Sequence, residues 1–336
     1  MKYFQSIIFA VSVFIILPLQ GQPYPPENTQ QWKILFEDNF NTFDNTRWYK
    51  CNQWIHGDEP QIYMDNDVFI SNGNLVLKTE HLATPIVFGN MQYNYSSGQI
   101  VSLHRLQYGY YEMYAKLPYS DGFWPAFWFW FSNDAPDDPW YNEIDVFEAD
   151  GSKTNVFTTG ISVASAYPVD SNREGGNTIH NHIYSDGYHW YGVYWEWDSI
   201  YWFFDRQLIK KIKNDIAGTG VQHPLQLIVN VALFPFSDDS YTHVSNNSIL
   251  PNYMFIDKLN GYQLDCDDSG QDVVEILDFS LYNYKIKRSI TLSGLTIIPS
   301  NSSIALYAKD YITLNNGFYV PTGCEFTADI CPKCGP

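Results

Sequence analysis

The sequence predicts an all-β protein: a sandwich or barrel of strands, followed by a small β-rich module. Three observations carry that expectation. Helical periodicity is nearly absent. Short alternating or apolar runs recur along the chain, each bounded by Gly, Asn, Asp or Pro. Aromatic residues are abundant, with 11 Trp, 26 Tyr and 22 Phe in 336 residues.

The runs can be read in order. Val68 to Lys78 ("VFISNGNLVLK") is two strand-like runs around "SNGN", a tight-turn signal at 71–74. Tyr108 to Leu117 ("YGYYEMYAKL") and Trp190 to Trp197 ("WYGVYWEW") are further strands. Leu225 to Leu233 ("LQLIVNVAL") is apolar on both faces, which predicts a strand buried in the middle of the sandwich. The stretch from Ala164 to Ser185 is long and polar and bears His180 and His182, so it is expected to be a solvated loop or one end of a cleft. Composition shifts near residue 265, where "DCDDSGQD" (265–272) has the look of a linker. Beyond it, "ITLSGLTIIP" (290–299) and "ITLNNGFYVP" (312–321) match at Ile, Thr, Leu and Pro with an offset of 22 residues. Such an offset suits stacked β turns. The expected division is therefore a leader at 1–21, a large β domain at 28–265 and a β module of unassigned role at 266–336.

The leader is read from Met1-Lys2, the apolar run Ile7 to Leu19, Pro18 near its end, and Gly21 before Pro23 to Pro26. This is a secretory signal pattern. The run is too short for a comfortable bilayer span, and no Cys follows Gly21 to take a lipid anchor. The expectation is a secreted protein, extracellular or periplasmic, monomeric and with no membrane span after signal removal. Net charge is −18 and no basic run occurs, so nucleic acid is not an expected partner. A strongly sulfated polymer would need local positive charge. The cysteines are Cys51, Cys266, Cys324, Cys331 and Cys334. An odd count leaves one unpaired, and pairing is not set by sequence. Cys331-Pro-Lys-Cys334 has zinc-ligand spacing without a second ligand pair.

The segment with most chemistry is "YNEIDVFEAD" (141–150), which packs Glu143, Asp145, Glu148 and Asp150 into a strand-like run. Side chains alternate along a strand, so Glu143 and Asp145 share a face and Glu148 points away. One β-bulge brings Glu148 back to that face. Three carboxyls so close repel one another and split their proton affinities. That is what retaining glycoside hydrolysis needs: an ionised nucleophile and a protonated acid, roughly 5 to 5.5 Å apart. The competing reading is an exposed acidic face or a Ca²⁺ site. "DGFWPAFWFWF" (121–131) precedes this strand, and Trp124 and Trp128 are candidate plates for stacking on sugar rings. Their alternative place is the core.

These residues give the chain a resemblance to glycoside hydrolase family 16, the laminarinase, lichenase and agarase group. "EIDVFE" is similar to the longer, bulged form of its Glu-x-Asp-x-x-Glu motif. "LFEDNF" (35–40), "NGNLVLKT" (72–79), "SSGQIVS" (96–102), "YGYYEMYAKLP" (108–118) and "WPAFW" (124–128) resemble successive strands of the family in the same order, as do 188–207 and 251–264. The resemblance covers about 30 to 265. It implies a concanavalin-like β-jelly-roll with a polysaccharide cleft, Glu143 as nucleophile, Asp145 as its helper and Glu148 as general acid/base. It implies no cofactor for the chemistry, and a structural Ca²⁺ near Asn39, Gly73 and Asp257, with Asn39 where an acidic residue is usual. Gln99 stands where laminarinases usually have Arg, and Asn66 and Asp67 where they have Asn, so Gln99 and Asn66 are expected to bind substrate. "ADG" (149–151) replaces the usual "YVG". The implied activity is endo-cleavage of β-1,3-glucan (laminarin-like). The departures keep a β-agarase or carrageenase in play, and a non-catalytic carbohydrate-binding jelly roll is a third reading.

Overall fold

The computed structural model describes residues 32–133, 140–164, 172–179, 184, 186–196, 199–214, 220–221, 223–264, 287–292, 298, 300 and 303–330. The leader, the linker at 265–286, His180, His182, Cys266, Cys331 and Cys334 lie outside them. Among the described residues the chain is built almost wholly from strands. In order these are β1 (Trp32–Asp38), β2 (Trp48–Lys50), β3 (Gln61–Tyr63), β4 (Val68–Ser71), β5 (Asn74–Phe88), β6 (Met91–Ser97) and β7 (Gln99–Ser102). Then come β8 (Gly109–Lys116), β9 (Phe123–Asn133), β10 (Trp140–Ala149), β11 (Val156–Ala164), β12 (Asn172–Ile179) and β13 (His189–Trp195). The rest are β14 (Ser199–Phe204), β15 (Gln207–Lys213), β16 (Gln226–Leu233), β17 (Asn252–Leu264), β18 (Lys287–Leu292), β19 (Ser303–Leu314) and β20 (Glu325–Ile330).

Two large sheets form a β-jelly-roll sandwich. One has ten strands along the path β15-β14-β13-β8-β17-β5-β6-β3, with β1 on β17 and β4 on β5. The other has seven, in the order β12-β11-β10-β9-β16-β7-β2. Strand alternation sends one face of each sheet into a shared core. The seven-stranded sheet contributes Phe127, Phe129, Ile144, Val146 and Phe147, and the ten-stranded sheet contributes Tyr111, Met113, Trp195, Trp202 and Ile256. Each such side chain stabilises the fold by about 1.5–3 kcal/mol on burial. The "SNGN" turn joins β4 to β5 in two residues, with Asn72 and Gly73 both at positive φ (51° and 72°). That is the twist a two-residue hairpin requires.

One expectation is corrected. The stretch 164–185 is not loop throughout, because β12 pairs with β11 along the sheet edge from Val156↔Ile179 to Val163↔Asn172. β16 is buried on both faces as expected. Leu227, Val229, Val231 and Leu233 face the main core, while Ile228 joins Cys51, Tyr63 and Val101 in a small cluster beneath the cleft, which Ile228 and Asn230 line.

The third sheet, β18-β19-β20, is parallel and has its own small core of Ile290, Leu292, Ile298, Ile304, Leu306 and Ala308. Its register reproduces the sequence offset: Ile290 pairs with Ile312 and Leu292 with Leu314, and Ser303 pairs with Glu325, each 22 residues apart.

On the outer face of the ten-stranded sheet, Glu112 is fully buried and ion-paired to Arg206 through Nε–Oε2 at 3.1 Å and Nη2–Oε1 at 3.0 Å. Burial pushes the Glu112 carboxyl up and Arg206 pulls it back. The turn between β14 and β15 takes positive φ at Asp205 (46°) and Arg206 (62°), and this presents the guanidinium to Glu112 and over the Trp190 ring at 3.8 Å. Arg206→Ala is expected to destabilise the protein by about 3 kcal/mol in urea unfolding, because a carboxylate is left buried without its cation. A loss below about 0.5 kcal/mol, the range of a solvent-screened surface pair, would refute that account.

Candidate active site

The acidic strand β10 lies between β9 and β11. Glu143 pairs with Trp130 of β9 and Asp145 with Trp128, but the next pairs are Phe147↔Phe127 and Glu148↔Ala126. Val146 is therefore an extra residue, and the β-bulge expected from the sequence is present. It turns Glu148 to the face of Glu143 and Asp145, while Val146 and Phe147 both enter the core. A bulge leaves a carbonyl without its ladder partner. Here Trp202 Nε1, from the opposite sheet, donates to the Asp145 carbonyl at 2.7 Å inside the core.

The three carboxylates line one chamber of about 390 Å³, and a second of about 380 Å³ adjoins it. His56, Glu59, Trp128, Trp130 and Asn230 belong to both walls, so the two make one cleft crossing β10, β9, β16, β7 and β2. Glu143 and Asp145 are each 7% exposed, and Glu148 is half-buried beside Thr158. Tyr141 donates its hydroxyl to Glu143 Oε2.

Asp150, the fourth acid, is a turn residue. Its Oδ1 accepts from Ser152 N and Oγ at 3.0 and 2.6 Å, and its Oδ2 lies 2.9 Å from Lys153 Nζ. The "ADG" glycine is required here, since a Cβ on Gly151 would lie 2.6 Å from the Ser120 carbonyl oxygen. Trp128 lies in the cleft wall and donates through Nε1 to Asn230 Oδ1 at 2.8 Å. Trp124 lines the same cleft, but one of its faces is stacked on Phe234 (5.0 Å, 13°), whose other neighbour is Tyr241 (3.9 Å, 7°). Gln99 lines the second chamber beside Cys51. Burial drives the Cys51 thiol up to about 12, with a hydrogen bond from Gln99 acting the other way. Asn66 is not brought to the cleft wall. It is exposed on the short 3-10 turn Asp65–Asp67, and the inward residue is Asp67, bound to Lys78 at 2.9 Å. Asn39 Oδ1 accepts from the Asn41 side-chain amide at 3.0 Å, and a Cβ on Gly73 would lie 3.9 Å from Asn41 Oδ1. Asp257 acts electrostatically on Tyr188, whose hydroxyl donates to Asn74 at 2.9 Å.

Sequence reasoning missed a chain of hydrogen bonds in the cleft. Asn230 Nδ2 donates to Tyr63 Oη at 2.9 Å, Tyr63 Oη donates to Glu59 Oε2 at 3.0 Å, and Glu59 Oε1 lies 3.1 Å from His56 Nδ1. Gln61 also donates to Glu59, which is 8% exposed. The His56 ring meets Trp128 edge to face at 6.2 Å. The Glu59 hydrogen bond raises the His56 imidazole above its ordinary value, burial opposes this, and the charges of Glu59 and Glu143 add to the rise. Asn230, a lone amide inside an otherwise apolar strand, was the signal in the sequence for this chain.

A β-sandwich that gathers three carboxylates from one bulged strand in an aromatic cleft has the make-up of a glycoside hydrolase site. The sequence profile described as beta-porphyranase A-D, GH16 domain, matches residues 33–264. The chain belongs to glycoside hydrolase family 16. It is 29% identical over 208 residues to the endo-1,3-1,4-beta-glycanase ExsH of Rhizobium meliloti (strain 1021), covering 60% of this chain and 41% of ExsH. It is 28% identical over 265 residues to the glucan endo-1,3-beta-glucosidase A1 of Niallia circulans, covering 68% and 38%. The chain thus spans about two fifths of the length of these relatives. The fold matches the catalytic domain of an endo-1,3-beta-glucanase (laminarinase) from Thermotoga petrophila RKU-1 with a TM-score of 0.60 at 24% identity, covering 69% of this chain and 98% of that one.

His56 gains its partner on folding, so its folded value is raised; the stability it contributes is fully present below about pH 6.5 and is lost as pH rises through the higher folded value. His56→Gln is expected to lower stability at pH 5.5, by less than about 1 kcal/mol because the ring is half-exposed, and to have little effect at pH 9. Equal losses at both pH values in urea unfolding would refute the charged pair.

Proposed function

We propose that the chain is a secreted retaining endo-glycanase that cleaves β-1,3-glucan of the laminarin kind by double displacement. The observation that carries the reading is the bulge at Val146, which sets Glu143, Asp145 and Glu148 together on the cleft face. Glu143, held by Tyr141, attacks the anomeric carbon while Glu148 protonates the leaving oxygen. Asp145, between them on the strand, steadies the carboxylate pair. Glu148 then takes a proton from water, which displaces Glu143 with retention. The cleft crosses five strands, which suits a chain bound along its length and cut internally. By name, one of the two relatives is a glucan endo-1,3-beta-glucosidase and the other an endo-1,3-1,4-beta-glycanase. Their activity supports the substrate proposed here.

A second reading, a galactan such as agarose, porphyran or carrageenan, is favoured by the description of the matching profile and by Gln99 in place of Arg. Release of reducing ends from laminarin, abolished by Glu143→Gln, is the expected outcome. Release only from agarose, porphyran or κ-carrageenan would keep the mechanism and overturn the glucan. No release from any of these or from mixed-linkage glucan would turn the reading toward a binding role.

We also propose that calcium binds near Asn39, Gly73 and Asp257, and only weakly. One carboxylate serves this set and Asn39 is engaged by Asn41. Among the described residues no group of three or more His, Cys, Asp or Glu could hold a metal ion. With a dissociation constant near the millimolar end of the extracellular range, 5 mM calcium would stabilise by about 1 kcal/mol relative to chelator. A melting temperature identical in calcium and in EDTA would remove the site.

A further inference from the structure

Tyr141 stands two residues before Glu143 on β10, and strand alternation puts both on the cleft face. It lines the catalytic chamber with Glu143, Asp145 and Glu148. Its ring meets Trp130 edge-on at 6.5 Å, and Trp130 is the cross-strand partner of Glu143. The phenol and the carboxylate are therefore fixed by the same pair of strands. The contact is specific: the Tyr141 hydroxyl donates to Glu143 Oε2, which leaves Oε1 as the oxygen free of this contact.

We propose that Tyr141 is a positioning residue for the nucleophile, aiming Glu143 Oε1 at the anomeric carbon and, through Oε2, making the carboxylate a better leaving group in the second step. The inference rests on the retaining mechanism proposed above. In the first step the bond from Oε1 to the anomeric carbon forms and the glycosidic C–O bond breaks. Its electron pair goes to the leaving oxygen, which takes the proton of Glu148. The negative charge of Glu143 is consumed in the ester. In the second step water bonds to the anomeric carbon, its proton passes to Glu148, and the C–Oε1 bond breaks with its electron pair returning to Glu143. Tyr141 keeps its proton throughout. A hydrogen bond to Oε2 is stronger to the carboxylate than to the neutral ester. It therefore favours departure of Glu143 from the glycosyl-enzyme.

Tyr141→Phe removes one oxygen and keeps the ring against Trp130. With laminarin, kcat is expected to fall about tenfold, with KM falling alongside it, because the glycosyl-enzyme accumulates. Acid-quenched samples are expected to carry a glycosyl adduct on the Glu143 peptide, found by mass spectrometry. A fall in kcat with KM unchanged or raised and no adduct would overturn the proposal. A parent enzyme inactive on all five glycans would defeat the retaining reading by itself. Tyr141 is then decided by crystal structures of the parent and of Tyr141→Phe. A Glu143 carboxylate that leaves its parent position in Tyr141→Phe supports the contact, and an unmoved carboxylate overturns it.

Discussion

The site depends on one extra residue in one strand. A strand of regular pleat that carries Glu143 and Asp145 toward the cleft must send Glu148 into the core. Val146 breaks that rule, and two consecutive apolar side chains, Val146 and Phe147, then point inward. Phe147 packs against Tyr191 at 4.5 Å between ring centroids and edge-on to Phe127 and Phe157. The core is thus shaped to the bulge as much as the cleft is. The carbonyl displaced from the ladder is met by the Trp202 indole from across the sandwich. Sliding β10 back into regular register would bury a carboxylate among these rings and leave that indole without its acceptor. Either change is costly in an apolar interior.

The cleft also orders its charges. A strongly acidic chain has gathered acidic groups around a substrate groove, and their mutual repulsion is relieved by donors at fixed places. Glu59 is buried but accepts from Gln61 and Tyr63 and faces His56. Trp128 is tied through Asn230 and Tyr63 to that same carboxylate. A shift of the Trp128 ring would be felt at His56, because the chain of hydrogen bonds between them is continuous. Lys50, although in the wall of the second chamber, sends its ammonium to the Val68 carbonyl at 2.6 Å and over the Phe43 ring. His56 faces the carboxylates from the shared wall, and Glu59 makes its imidazole readier to hold a proton.

Much of this was legible in the sequence because it follows from period and parity. The strand runs, the "SNGN" hairpin, the need for a bulge before Glu148 and the 22-residue offset are all local in the chain. What the sequence did not show depends on residues distant in the chain. Asn66 and Asp67 are adjacent, and which one turns inward is decided by Lys78 on a neighbouring strand. Trp124 was expected as an open plate, yet Phe234 from just beyond β16 covers one face and is itself backed by Tyr241. β12 is hidden by its polar composition, since an edge strand needs only backbone partners to pair.

The parallel sheet β18-β19-β20 has a grammar of its own. Because the pairing offset equals the sequence repeat from Ser289 to Leu292 and from Ser303 to Ala308, those residues sit beside their counterparts 22 positions on, and inward positions stack on inward positions. Gain or loss of a whole repeat would leave each remaining side chain on its proper face. A change of one residue would turn every later position inside out. The length of this module is therefore quantised, free to evolve in whole repeats while the jelly roll that precedes it is not.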